Sequence, residues 1–445
     1  MKRSGMGRTF LRYASFNVLG MIGLSCYILA DTFFVSKGLG ADGLTALNLA
    51  IPVYSLIYGT GLMLGMGGGI SYAVAKGQQA EEKETNVIFT RTLQLGVLFG
   101  LIFLGIGLWG SGTVTGLLGA DHQVFDITKC YVQMILLFAP AFVCNNLCLC
   151  FVRNDGNPSL AMLGMVGGSL SNVVLDYIFI FPLNMGMFGA VLATCMAPII
   201  SLCILSIHKW QKKNQFHLTR TWLTPQSVGK TLSLGLPTLV TELSSGVVIL
   251  VFNWLMLKLS GNVGVAAYGV IANLSLVVVA IYNGVGQGMQ PLVSEACGRG
   301  ERKQMHQVLR YGLITVVVLS VVIYGLILLF TTPIAAVFNS EHLAQLQTIA
   351  EQGLRVYFVG ILFADLNILF SAFFAATERP LPAHGICWMR GFILIVPLAI
   401  LLSMKLQVLG LWLAFPLAEG LTALGSVGLY LIFTKKEKTE NPNMT

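Results

Sequence analysis

The stretch KGLGADGLTALNLAIPVYSLIYGTGLMLGMGGGISYAVAKG, residues 37–77, is answered at 258–298 by KLSGNVGVAAYGVIANLSLVVVAIYNGVGQGMQPLVSEACG, a constant 221 positions later. The register pairs Lys37 with Lys258, Gly40 with Gly261, Gly43 with Gly264, Ala46 with Ala267, Gly65 with Gly286, Gly67 with Gly288 and Gly77 with Gly298. Farther on it slips by one, matching Asn145 to Asn367, Leu147 to Leu369, Phe151 to Phe373 and Pro158 to Pro380, and returns to 221 at Gly189 and Gly410. Chance identities are expected in a glycine-rich apolar chain, so the weight lies in the persistence of the register and in loops falling at matching places. The chain reads as two copies of one unit, and a doubled membrane unit points to alternating access around a central site.

That the unit belongs in a membrane follows from composition: 55% hydrophobic, 10% charged, mean hydropathy +0.78. Apolar runs near 14–35, 45–72, 92–112, 131–152, 160–181 and 188–207 make six segments in the first copy. Six more follow near 232–257, 265–294, 310–330, 353–376, 383–403 and 408–432. Each can span a hydrocarbon layer of roughly 30 Å as a helix, the conformation that pairs its backbone groups internally in lipid. The expected fold is all-α and polytopic: twelve transmembrane helices in two six-helix lobes related as parallel repeats. The lobes are 1–207 and 232–434, joined by a connector, 208–231, and followed by a tail, 435–445.

Of the 27 Lys and Arg residues, twenty-one fall on the side of the N-terminus and five on the other, with Arg390 inside a segment. The imbalance predicts a multi-pass membrane protein with both termini and the connector cytoplasmic. The net charge of +8 is then accounted for by cytoplasmic loops, and no nucleic-acid partner is implied. The apolar run after Lys2, Arg3, Arg8 and Arg12 has no small-residue cleavage site and reads as an uncleaved first helix.

Enzyme signatures fail on context. Gly38-Leu39-Gly40-Ala41-Asp42-Gly43 satisfies G-x-G-x-x-G but sits in a turn between membrane segments, after no strand. No phosphate-binding loop for ATP is present, so energy must come from an ion gradient or the substrate's own gradient. His122, His208, His217, His306, His342 and His384 show no zinc spacing, and the nine cysteines, Cys144, Cys148 and Cys150 among them, form no ligand pattern. The expectation is a transporter without cofactor, probed by acids inside the membrane, where a carboxylate is functional by default.

Those acids are Asp31, Asp176, Glu242 and Asp365. Asn172 and Asp176 are four apart and share a helix face, extended by Ser169; Tyr27 stands one turn before Asp31. Position 31 maps onto Phe252 and position 176 onto Leu398, so a site built from Asp31, Asn172 and Asp176, with Thr194 adding a neutral oxygen, belongs to the first lobe alone. Two carboxylates brought together there should hold a proton or a hard cation such as Na+ near neutral pH. Glu242 and Asp365 are second-lobe candidates; Arg390 and Glu419 can supply structural pairing.

These residues resemble the MATE (multidrug and toxic compound extrusion) family over nearly the whole chain. Ala30-Asp31-Thr32-Phe33-Phe34-Val35 looks like the family's helix-one acid, and Arg153-Asn154-Asp155-Gly156-Asn157-Pro158 like its loop after helix four. Asn172-x-x-x-Asp176 followed by Gly189-Ala190-Val191-Leu192-Ala193-Thr194 is similar to the ion-coupling pattern of the DinF-related prokaryotic members, while Glu242 and Asp365 fall where the NorM subgroup carries its acids. The mixed set is nearest to bacterial MepA-like exporters. Helix one has Gly20 and Gly23 but no proline, unlike relatives that bend there.

The resemblance implies an antiporter driven by H+ or Na+ that exports small amphipathic organic cations from a V-shaped cavity between the lobes, acting as a monomer. Soft side chains suit such a cavity, and Met63, Met66, Met256 and Met289 with Tyr27, Tyr58, Tyr268, Tyr282 and Phe252 are its candidates. A flippase for a lipid-linked precursor shares the scaffold, but it would need basic residues at membrane depth, where only Arg355 and Arg390 are expected. A major-facilitator carrier would show D-R-x-G-R-R, whereas residues 76–86 read KGQQAEEKETN.

Overall fold

The computed structural model describes residues 3–339 and 343–440; Lys2, His342 and the tail residues 441–445 lie outside them. Eight helices are long and apolar enough to cross a membrane, or nine when Phe125–Leu137 and Ala139–Asn154, bent by 49°, count as one. Three of these are of double length, and each breaks at a residue of positive φ: Gly40 (φ 68°), Gly261 (φ 62°) and Gln407 (φ 51°). Taken apart at the breaks, the described residues make twelve spans, as expected from the apolar runs.

The spans are α1 (3–39), α2 (41–77), α3 (Glu82–Trp109), α4 (125–154), α5 (Pro158–Ile180) and α6 (Gly186–Trp210). The second lobe holds α7 (225–260), α8 (262–298), α9 (Arg302–Leu329), α10 (344–376), α11 (380–406) and α12 (408–440). Short helices Ser111–Leu117 and Thr331–Phe338 occupy the same place in the two copies.

The backbone repeats as the sequence does. Gly40 and Gly261 share nearly one conformation, with ψ −154° in both. The left-handed residues Gln79 and Gly300, Gly156 and Glu378, and Gly186 and Gln407 are also repeat partners. Local chemistry sets the starts of spans. Pro158 opens α5 behind Asn157, whose side chain accepts from the Leu160 N–H, and Pro225 opens α7 behind a Thr224/Ser227 capping box.

Glycines bring the two lobes into contact at one end. A side chain on Gly77 would strike the carbonyl of Glu295, and one on Gly298 would strike that of Val74. Gly77 and Gly298 are repeat partners, as are Val74 and Glu295, so α2 and α8 cross on a pseudo-two-fold axis. Gly235 and Gly67 likewise face the carbonyls of Met63 and Thr231, and Gly288 faces that of Tyr13. Such close backbone approach is available only to residues without a Cβ and is a common way for helices to associate in lipid.

Polar groups lock the same end. Arg153 Nη1 donates to Gln287 Oε1 (2.8 Å), and Asn154 and Gln290 exchange amide hydrogen bonds (3.3 and 3.2 Å). Among the described residues, no hydrogen bond between lobes joins the other ends, 28–58 and 245–279.

Candidate functional site

Asp31 reaches the interior of the first lobe because α1 and α5 run parallel and in register. On α1, Gly20, Gly23, Tyr27, Asp31 and Gly38 fall on one face at steps of three, four and seven residues. Added side chains at Gly20 and Gly23 would press on Met165 and Val166 of α5, and one at Gly38 on Ile180. Gly20 to Met165 and Asp31 to Asp176 carry the same separation of 145 positions, so the helix contact that the glycines allow places the two acids opposite each other. The glycines that stand without a proline in α1 serve this approach.

The two carboxyls lie within hydrogen-bond reach of one another. Asp176 is wholly buried and Asp31 is 6% exposed, and one oxygen of each, Oδ1, has no hydrogen-bond partner. Gly168 lets α6 approach α5 by facing the Ala197 carbonyl, which carries Thr194 to Asn172. The orientation of the Asn172 amide that satisfies both ends donates from nitrogen to Asp176 Oδ2 (3.0 Å) and accepts at oxygen from the Thr194 N–H (3.2 Å). Asp31, Asn172, Asp176 and Thr194 thus form one cluster on three helices.

Beside it is a cavity of about 60 Å³ walled by Tyr27, Tyr54, Tyr58, Asn145, Ser169 and Thr194, among others. Tyr27 and Tyr54 share a hydrogen bond of 2.6 Å, and Tyr54 stacks on Tyr58 with centroids 5.9 Å apart. Tyr54 and Asn145 escape a reading of the sequence, since neither stands at helical spacing from an acid.

The second-lobe acids are separated. Asp365 is buried, accepting from Ser320 Oγ (2.6 Å) and the Leu366 N–H (2.6 Å). Glu242 is half-buried and lines a central cavity of about 70 Å³ with Met66, Thr241, Asn283, Gln287 and Arg390. No hydrogen bond to its carboxylate is found among the described residues. Arg390 pairs with Glu419, donating from Nη2 to Oε1 (2.7 Å) and from Nε to Oε2 (3.3 Å), and Asn367 donates to the same carboxylate (2.7 Å).

Of the candidates for a soft cavity wall, Met66 lines the central cavity, Tyr27 and Tyr58 the first-lobe cavity, and Tyr268 a third, of about 90 Å³, within the second lobe. Phe252, Met256, Tyr282 and Met289 are fully buried in the second lobe's hydrophobic core and border none of these cavities. Met63 packs in the first lobe's core with its carbonyl against Gly235.

Arg153 is a further departure from the sequence reading, which puts it in a cytoplasmic loop. It is 2% exposed at the junction of the lobes, bonded to Asn17 and Gln287 through Nη1 and to the sulfurs of Met66 and Cys150 through Nη2. Its neighbour Asp155 is saturated by Tyr72 Oη (2.8 Å), Lys76 Nζ (3.1 Å), His208 Nε2 (2.8 Å) and the Gln215 N–H (2.8 Å). Burial alone would favour the neutral acid. The hydrogen bonds from His208 and Gln215, the Lys76 charge and the Tyr72 hydroxyl outweigh it and hold the carboxyl below the usual carboxylate range.

Twelve spans in two pseudo-symmetric lobes, closed at one end and carrying acids in the lobe interiors, have the architecture of a membrane transporter. The MatE family model matches the chain twice, over residues 18–178 and 237–401, and the chain belongs to the MATE family. It is similar to the multidrug export protein MepA of Staphylococcus saprophyticus (22% identical, covering 96% of this chain and 94% of that protein). The MepA of Staphylococcus aureus strain NCTC 8325 is 23% identical with the same coverage. Among solved structures, an outward-facing MATE transporter of the MOP superfamily superimposes with a TM-score of 0.90 at 22% identity over 97% of each chain. A MOP superfamily transporter from Pyrococcus furiosus, described as having a binding pocket of reversed polarity, gives 0.87 over 95% of this chain and 94% of that one.

Proposed function

We propose that this chain is a proton-coupled antiporter that exports amphipathic organic cations across the plasma membrane, the lobes rocking to open a central path to each side in turn. The observation that carries the coupling is the Asp31–Asp176 contact: two buried carboxyls within hydrogen-bond reach, each with an oxygen that no protein group satisfies. One shared proton bridges the pair and lowers its charge from −2 to −1; with both acids ionised, the site would hold two unscreened charges in a dry interior.

Na+ is the second reading, since carboxylate, amide and hydroxyl oxygens are hard donors. The proton is favoured because the orientation of the Asn172 amide that satisfies both its ends directs N–H to Asp176 and engages the oxygen with the Thr194 N–H. For the exported species, support comes from the name of the MepA relatives and from Glu242, an acid on the central cavity wall without an ion-pair partner among the described residues. Expelling one positive charge against a negative interior costs about 2.3 kcal/mol per 100 mV, and an inward proton cancels that term.

The test is transport in vesicles containing the purified chain, with pH or Na+ gradients imposed separately. A pH gradient should drive export of ethidium or tetraphenylphosphonium, and anionic dyes of similar size should stay behind. Asp31→Asn and Asp176→Asn should insert normally and lose gradient-driven export. Full export by either variant would remove the first-lobe cluster from the mechanism, and export driven by Na+ alone would select the second reading.

A further inference from the structure

The connector between the lobes lies against α3 as a strap. Asn86, Thr90 and Gln94 stand at successive steps of four residues and form a polar stripe on one face of the helix. Each holds the strap: Asn86 Oδ1 accepts from the His217 N–H (2.6 Å), Thr90 Oγ1 from the Thr219 N–H (3.0 Å), and Gln94 Nε2 donates to the Thr221 carbonyl (2.8 Å). Arg91 Nε adds bonds to Thr221 Oγ1 (3.2 Å) and the Trp222 carbonyl (3.0 Å). Along the strap exposure alternates. Thr219 and Thr221 are half-buried against α3, while Leu218 (69% exposed), Arg220 and Trp222 (88% exposed) are open to the surroundings.

The depth of this strap matters. At 28 residues α3 is about 42 Å long, some 12 Å more than the hydrocarbon layer; with that excess at its charged end, Glu82 to Glu84, the boundary between headgroups and acyl chains falls near Thr90, and Leu93 and Val97 lie about 5 and 10 Å inside it. Here Thr90, Leu93, Gln94, Val97, Leu218 and Arg220 line an open groove of about 530 Å³. Its floor is apolar and continues along α3 into the exposed side chains of Leu98, Leu101 and Ile102. Arg220 makes no hydrogen bond or ion pair among the described residues. The acids nearest in sequence, Glu82 and Glu84 of α3 and Glu81 just before it, precede Thr90 by at least about 9 Å of helix rise, and Glu82 faces His217 (3.8 Å).

We propose that this groove is a binding site for one anionic phospholipid, its phosphate held by the Arg220 guanidinium between Leu218 and Trp222 and an acyl chain lying along Leu93 and Val97. Charge complementarity selects the ligand. An unpaired guanidinium at headgroup depth matches a phosphate diester with no compensating ammonium, and an aromatic residue beside it suits the interface. Because the connector is the covalent link between α6 and α7, a lipid seated here contacts the segment that must adapt whenever the lobes rock.

The experiment is native mass spectrometry of the purified full chain titrated with phosphatidylglycerol or phosphatidylethanolamine of identical acyl chains. Phosphatidylglycerol should be retained roughly five-fold more than phosphatidylethanolamine. Arg220→Gln should abolish that preference without loss of monodispersity, since Arg220 makes no hydrogen bond or ion pair among the described residues. Lys405→Gln, an exposed cation on another segment, should leave it intact. Millimolar inorganic phosphate should fail to compete, and competition by it would mean a free-anion site and overturn the lipid assignment. Equal retention of the two lipids, or an unchanged preference in Arg220→Gln, would overturn the site.

Discussion

Asp155 shows what one residue does for the closed end of the molecule. Its two oxygens take four donors from α2, α6 and the connector, so it gathers three segments at one point. The carboxylate only accepts, which assigns the hydrogen to His208 Nε2 and leaves Nδ1 to accept from Asn157 (3.3 Å). A carboxyl held below its unfolded value stabilises the fold fully above that value, and the contribution is lost as pH falls through the folded one. Its stabilisation should therefore be intact at neutral pH and at pH 5 and disappear in acid below roughly 4. Asp155→Asn should cost about 2 to 3 kcal/mol at pH 7 by stranding buried donors. Thermal unfolding in detergent across pH is the check: the gap between variant and parent should close in acid, and a gap independent of pH would mean that charge plays no part. In the sequence Asp155 is visible as part of a short loop; that His208 answers it from 53 positions away is not.

At the level of elements, the two copies solve the same turns with different residues. Gly186 has φ 61° at the start of α6, and its partner Gln407 has φ 51° between α11 and α12. A side chain in the left-handed region costs about 1 to 2 kcal/mol, which the first copy avoids by using glycine. Gln407→Gly should thus raise the melting temperature by a few degrees, the relief being offset in part by added freedom in the unfolded chain. A fall in melting temperature would show that the Gln407 side chain holds the turn by contacts that outweigh its strain. The reverse change, Gly261→Gln, should destabilise by about the same 1 to 2 kcal/mol.

For the whole molecule, the proposed rocking requires the lobe contact at Gly77 and Gly298 to open. Both glycines face backbone carbonyls, which cannot turn aside as a side chain would. Gly298→Leu should hold that end apart, so that a fluorescent pair placed across the lobes there reports a longer distance and gradient-driven export falls at least ten-fold. Breaking the Asn154–Gln290 exchange with Gln290→Leu should act in the same direction and more mildly, because it removes hydrogen bonds and adds little bulk between backbones. Unchanged distance and export in Gly298→Leu would mean that the crossing of α2 and α8 is not a gate.

The twelve spans, their doubling and the asymmetry of their acids were determined by the sequence itself. Each rests on short-range physics: apolar run length against bilayer thickness, glycine and proline at fixed offsets, and the cost of a charge in lipid. The MATE resemblance rested on the same local motifs. Which groups meet across helices was decided by tertiary structure, because it depends on packing register. The parallel alignment of α1 with α5 made a pair of Asp31 and Asp176, while Glu242 and Asp365 were kept in separate surroundings. Arg390 went to Glu419, and Arg153, outwardly a loop cation, was buried at the lobe junction among neutral acceptors. Phe252, Met256, Tyr282 and Met289 have the composition of a drug-binding wall, and helix rotation turned them into the core. Composition tells what a helix face can bind; rotation and register, set by where glycines permit close approach, tell what it meets.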